Sequence, residues 1–169
     1  MMNLSGQIQV ADRFATEARL AGTAVVALAV GACVYLLDRD WVSTMFLGAF
    51  AGWQPARYAV FGALGDTLPS FLHAYAFTVL LVLALWPWPK ARGWVAPGWF
   101  AIAAGLEILQ APGVALAAFG PPDSAGTPLV RSLALYAWRG EFDPADLWAT
   151  ALGCATAWVV TNTLARRLS

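Results

Sequence analysis

Six polar residues in an otherwise apolar chain have types and spacings suited to chemistry: His73, Glu107, Gln110, Arg139, Asp143 and Asp146. Glu107 and Gln110 lie three residues apart and project from nearly the same helical face. A carboxyl group near the chain's single histidine is the pairing used for general acid–base work. An arginine four residues before one aspartate and seven before another suits charge-assisted pairing. Each also has a plainer role. Asp143 and Asp146 fit the N-cap and third position of a helix, where carboxylates answer free amides and the helix dipole. Glu107 fits an internal hydrogen-bonding group between helices, and His73 a bonded core residue rather than a metal ligand. No nucleophile motif such as GxSxG accompanies them. The two cysteines, Cys33 and Cys154, fall inside apolar runs and read as small buried hydrophobes, with no CxxC or Cys/His cluster. No metal or cofactor is implied.

The elements that must position these residues follow from composition. Of 169 residues, 60% are hydrophobic and 12% charged, and the mean hydropathy is +0.63. Soluble domains carry about 25% charged residues, so this chain has too few to cover a water-facing surface. Lipid is the expected solvent. The net charge is zero and no basic tract occurs, which leaves nucleic acid nothing to hold. The first twenty residues are mixed polar, and the long apolar run after them lacks a cleavable-signal exit.

Each helical span needs about 20 apolar residues. The spacing predicts an all-α bundle of four transmembrane helices in a single domain, over residues 20–37, 69–86, 94–110 and 145–165. The outer loops are then 38–68 and 111–144, each carrying short interfacial helices. Residues 41–65 are apolar, but Gln54, Pro55 and Arg57 interrupt them; an arginine at mid-span costs about 2.5–3.5 kcal/mol on insertion scales. This stretch is expected to lie at the interface or fold back. Pro69 is expected in the first turn of the second span. Pro112 and Gly113 are expected to end or kink the third, and residues 128–138 to form a short interfacial helix. Asp143, Pro144 and Asp146 open the fourth, and Arg166 with Arg167 close it.

Basic residues near span ends set orientation. Arg13 and Arg19 precede the first span, Lys90 and Arg92 lie between the second and third, and Arg166 and Arg167 follow the fourth. Four spans place all three groups on one side, giving N-in and C-in topology. Asp38, Asp40, Asp66, Asp123, Glu141 and Asp143 then face outward, with Arg39, Arg57, Arg131 and Arg139 as a smaller opposing set. The same topology gathers His73, Glu107, Gln110, Arg139, Asp143 and Asp146 at the outer face, although they span about 70 residues of sequence. Random placement of polar groups would seldom do this.

Three elements resemble the VanZ-like family of small bacterial membrane proteins. A histidine and aromatics open the second span (Leu72, His73, Ala74, Tyr75, Ala76, Phe77). The third ends E-x-x-Q (Glu107, Gln110). An R-x-x-x-D-x-x-D start to the final helix (Arg139, Asp143, Asp146) is followed by Gly153. The resemblance covers about residues 66–165. Where the family often has a lysine before the histidine, Ser70 and Phe71 stand here; where it often has an asparagine after the second aspartate, Leu147, Trp148, Ala149 and Thr150 follow. The resemblance implies a four-helix envelope protein and names no reaction.

Three functions from different classes fit. One is a binding or accessory protein whose polar pocket near the outer face recognises an envelope lipid or glycopeptide. Another is a structural or accessory subunit that meets other membrane proteins through small-residue helix faces. A third is an enzyme using Glu107 and His73 as acid and base on a lipid-linked substrate.

Overall fold

The computed structural model describes residues 4–43, 47–54, 60–111, 113–121 and 126–166. Pro55, Arg57, Pro112, Asp123 and Arg167 lie outside them. Every regular element among the described residues is helical. The α-helices are α1 (Leu4–Leu37), α2 (Leu64–Ala84), α3 (Pro89–Gly93), α4 (Val95–Ile108), α5 (Val114–Phe119), α6 (Pro128–Arg139) and α7 (Pro144–Arg166).

Among the described residues, two helices are long and apolar enough to cross a bilayer: α1 over Val10–Leu37, and α2. The other two expected spans differ in instructive ways. α4 has 14 residues, about 21 Å at 1.5 Å per residue, against a hydrocarbon core of about 30 Å. It stops at Ile108 because the chain tightens there: the Gln110 N–H donates to Glu107 O and the Ala111 N–H to Ile108 O, both at 3.0 Å. α7 has the length, with 23 residues, but Thr150, Thr156, Thr161, Asn162 and Thr163 lower its hydropathy.

α1 begins sixteen residues before the expected start at residue 20. Nothing between Leu4 and Leu37 breaks a helix, since the segment holds no proline and is rich in alanine. Pro69 lies inside α2 rather than in its first turn, because α2 starts at Leu64. That early start is held from α1: both Asp38 carboxylate oxygens accept backbone N–H groups, from Val60 and Phe61 at 2.8 Å. The Gln54 amide ties the intervening loop, accepting from the Trp41 N–H at 3.1 Å and donating to Arg39 O at 3.0 Å. Within the described part of residues 41–65, only two short 3-10 helices form ahead of α2, Trp41–Ser43 and Gly48–Trp53.

α2 is the central helix. It packs on α1, α7 and α4, and α4 also packs on α7. One buried cluster joins Leu20, Ala24 and Ala27 of α1, Ala76, Val79 and Val82 of α2, Trp86, Val95 of α4 and Ala157 of α7. Small residues let the backbones approach. A Cβ at Gly153 would overlap Phe71 O and lie 3.0 Å from Ala74 Cβ, so glycine sets the α2–α7 separation. Cys154 is buried and its Sγ is 3.5 Å from Thr78 Oγ1. Cys33, expected to be buried, is exposed, because it faces away from α2, where Gly31 and Val34 point inward.

The helices run up and down. Leu20, Trp86, Val95 and Leu164 belong to one packed cluster, and Arg19, Lys90, Arg92 and Arg166 lie close to these residues along the chain. There the Arg92 guanidinium lies 4.6 Å over the Trp86 ring. The ends of α1 and α4 and the starts of α2 and α7 gather at the opposite end.

Candidate functional site

The polar end of the bundle is assembled by the connection between α6 and α7. Asp143 caps α7: its Oδ1 accepts the Ala145 N–H at 2.8 Å. The Asp143 N–H in turn donates to Glu107 Oε1 at 2.9 Å. One turn on, the Gln110 side chain is hydrogen-bonded to the Tyr136 hydroxyl and occupies the space above Gly140, where a Cβ would overlap its amide. Gly140 has φ −77°, so it is glycine for room and not for a left-handed turn. Glu107 and Gln110 thus work as a bracket, two side chains from the end of α4 fastening both sides of the α6–α7 joint.

Asp146 faces the opposite way, toward α2. Its Oδ1 accepts the Ser70 hydroxyl at 2.7 Å, across 76 residues of sequence. Charge couples the two halves. Glu107 lies within electrostatic reach of Asp143 and Asp146, and Asp146 within reach of Arg39 and Asp66. Tyr35 of α1 senses Arg39 and Asp146. Tyr136 senses Glu107, Tyr35 and Asp146; its burial first, and then the Glu107 charge, push its hydroxyl above the usual phenol range. It therefore remains a neutral hydroxyl at physiological pH.

Two of the six expected residues stand apart. His73 stacks on Tyr35 with ring centroids 5.9 Å apart and leans toward Phe77 at 6.2 Å. Phe77 meets Trp99 at 5.2 Å, so an aromatic row links α1, α2 and α4. No hydrogen bond joins His73 to Glu107 among the described residues, and an acid–base pair of these two has no geometric support. Arg139 is exposed at the end of α6 and forms no ion pair with Asp143 or Asp146. The expected pairing fails because Asp146 turns to Ser70 and Asp143 to its own helix start. Among the described residues, the cation within electrostatic reach of Asp146 is Arg39 instead.

Arg39 belongs to the site although its spacing gave no hint of it. Its Nη2 donates to Asp66 O at 2.6 Å, with Nη1 3.9 Å from Asp66 Oδ1. Asp66 is 75% exposed, so this pair is weak. Arg39 Nε is buried and has no acceptor among the described residues. Tyr35, Ser70 and Tyr136 were missed too; the available signal was position, since Tyr35 precedes Arg39 by one turn, Ser70 precedes His73 by three residues and Tyr136 precedes Arg139 by three.

Chemically the site offers three carboxyl groups, two phenols, a hydroxyl, an amide and one guanidinium, contributed by α1, α2, α4, α6 and α7. Among the described residues no three His, Cys, Asp or Glu side chains are placed to hold a metal ion. Comparison with protein-family models, with curated proteins and with solved structures finds no match.

Proposed function

We propose that the chain is a VanZ-like protein of the bacterial inner membrane, with four spanning helices and both termini in the cytoplasm. Its outward polar cluster binds an envelope component. One observation carries this reading: polar side chains from five helices converge at one end of a bundle whose other walls are apolar. Large apolar side chains are exposed on every long helix, among them Val25 and Val26 of α1, Phe77 and Leu81 of α2, Phe100 and Ile102 of α4, and Trp148, Leu152 and Val159 of α7. Bare walls of this extent suit lipid. In a thinned or locally deformed bilayer a 14-residue α4 still crosses when neighbouring helices shield its ends. The resemblance in Glu107, Gln110, Asp143 and Asp146 supports the same assignment.

Purification from bacterial membranes in mild detergent, followed by native mass spectrometry, tests the reading. The wild type should carry an envelope lipid or lipid-linked glycopeptide that Gln110→Ala and Asp146→Asn variants lose. A wild type without any such adduct overturns it.

The subunit reading has its own observation. On α1 the exposed residues Ala11, Ala15, Ala18, Gly22, Val25, Ala29, Ala32 and Leu36 recur at alternating steps of four and three, the seam of a left-handed helix pair. Crosslinking from Cys33, beside that seam, to one defined second protein in intact membranes favours a complex. Unreacted Cys33 favours lipid contact.

A further inference from the structure

We infer that the connection between α1 and α2 is a lipid-docking loop, in which Val42, Phe50, Trp53, Val60 and Leu64 insert into the membrane leaflet at the polar end of the bundle. This rests on the reading of the bundle as membrane-spanning and goes beyond it, since it gives a connecting loop its own contact with lipid.

The connection is inside out. In a water-facing loop, charged side chains reach solvent and apolar ones turn inward. Here Asp38, Arg39, Asp40 and Gln54 are half-buried, and each is bonded to nearby backbone. Asp38 accepts the Val60 and Phe61 N–H groups, and Asp40 Oδ1 accepts the Val42 N–H at 3.0 Å. Arg39 donates to Asp66 O, and Gln54 joins the Trp41 N–H to Arg39 O. The Phe50, Gln54 and Leu64 N–H groups donate to carbonyls within the loop, those of Leu47, Ala51 and Phe61. The apolar side chains do the reverse. Val42, Phe50, Trp53, Val60 and Leu64 are between 55% and 85% exposed. Turning polar groups inward and apolar ones outward is unfavourable against water. Hydrocarbon requires it, because no water is there to satisfy a free N–H.

The loop also has the right neighbours. Among the described residues its two 3-10 helices pack chiefly on each other and make little contact with the long helices, so they do not fold back over the bundle. The bare side chains continue the exposed apolar wall, which Leu36 carries to the end of α1 and Leu64 resumes at the start of α2. A contiguous apolar surface of this kind marks an interaction face rather than scattered exposure. Two tryptophans lie in the loop. Trp41 Nε1 donates to Leu36 O at 3.3 Å, while Trp53 is the most exposed of the five-residue apolar set and its neighbours. Tryptophan favours the level where acyl chains meet headgroups. Asp66, two residues beyond Leu64 and 75% exposed, marks the return to a polar surface.

Labels placed one at a time test this. Cys33→Ser removes the exposed native thiol, while Cys154 is buried. Phe50→Cys, Trp53→Cys, Asp66→Cys and Val26→Cys are then made singly, all at exposed positions, and each carries an environment-sensitive fluorophore. The labelled proteins are reconstituted in phosphatidylcholine vesicles that contain a doxyl-quencher lipid. Labels at positions 50 and 53 should emit at shorter wavelength than the label at position 66 and lose emission to the quencher lipid. Position 66 should instead lose emission to aqueous iodide. The two loop positions are read separately, so a single misfolded variant leaves the other to decide. Quenching by iodide at positions 50 and 53, with lipid quenching at position 26, overturns the docking loop and leaves the bundle in the membrane. Absence of lipid quenching at all positions overturns both. Loop labels shielded from iodide yet untouched by the quencher lipid are covered by protein, a second copy or another chain, and that result overturns the lipid assignment.

Discussion

Glu107 holds the start of α7 through one oxygen, so an amide can replace it where a hydrocarbon cannot. Glu107→Gln should melt like the wild type in detergent. Glu107→Leu leaves the Asp143 N–H without its acceptor and should cost about 1–3 kcal/mol; circular dichroism melts distinguish the two. Gly140 invites a sharper test. Gly140→Ala must displace the Gln110 amide, an overpacking that typically costs about 1–3 kcal/mol. In a Gln110→Ala background the same substitution should cost clearly less, and equal losses in both backgrounds would mean the two residues do not meet in solution. Asp146 is expected to couple with Ser70, at about 1 kcal/mol for the hydrogen bond. With Arg139 it should show additive losses. A double-mutant cycle on each pair reads this directly.

At the scale of elements, the α2–α7 contact depends on the absence of a side chain at Gly153. Gly153→Ala should weaken the pair, whereas Gly22→Ala, with nothing within 4 Å of the added carbon, should leave it intact. Retention of a monodisperse peak in size-exclusion chromatography after heating compares them. The start of α7 was legible because Asp143, Pro144 and Asp146 are local signals read within one turn. The end of α4 at Ile108 falls close to the expected 110, just before Pro112 and Gly113, the residues expected to end or kink the third span. Polar residues before Leu20 suggested no helix there, yet an alanine-rich segment without proline can extend a helix already nucleated in the apolar run that follows. Pro69 looked like a first-turn residue because the bonds by which Asp38 holds the preceding chain are tertiary. Within the site, Glu107, Gln110, Asp143 and Asp146 stood out as acids and an amide in apolar surroundings. Tyr35, Ser70 and Tyr136 did not, because tyrosine and serine are ordinary there and only packing reveals their role. Arg139 misled for the converse reason: closeness along the chain says nothing of the direction in which each side chain leaves the backbone.

The whole molecule has two unlike ends, one with cations and tryptophans near the α2–α4 connection and one with the bracketed carboxyl groups. Reporter fusions after Ser169 and within residues 87–93 should both register cytoplasm. An external reading at either site would overturn the proposed orientation. The polar end also has a history written into its bonds. Ser70 waits 76 residues for Asp146, and Glu107 waits 36 for the Asp143 N–H, while α1 and α2 can pair as soon as both exist. If the chain inserts as proposed, α1 and α2 are expected to pair first, whereas the groups that complete the polar end stay unmatched until α7 is made. A nascent chain halted near Gly140 exposes Glu107 and Ser70 without partners, and it should be degraded by membrane quality-control proteases much faster than the full chain. Pulse–chase labelling of the two lengths measures the difference.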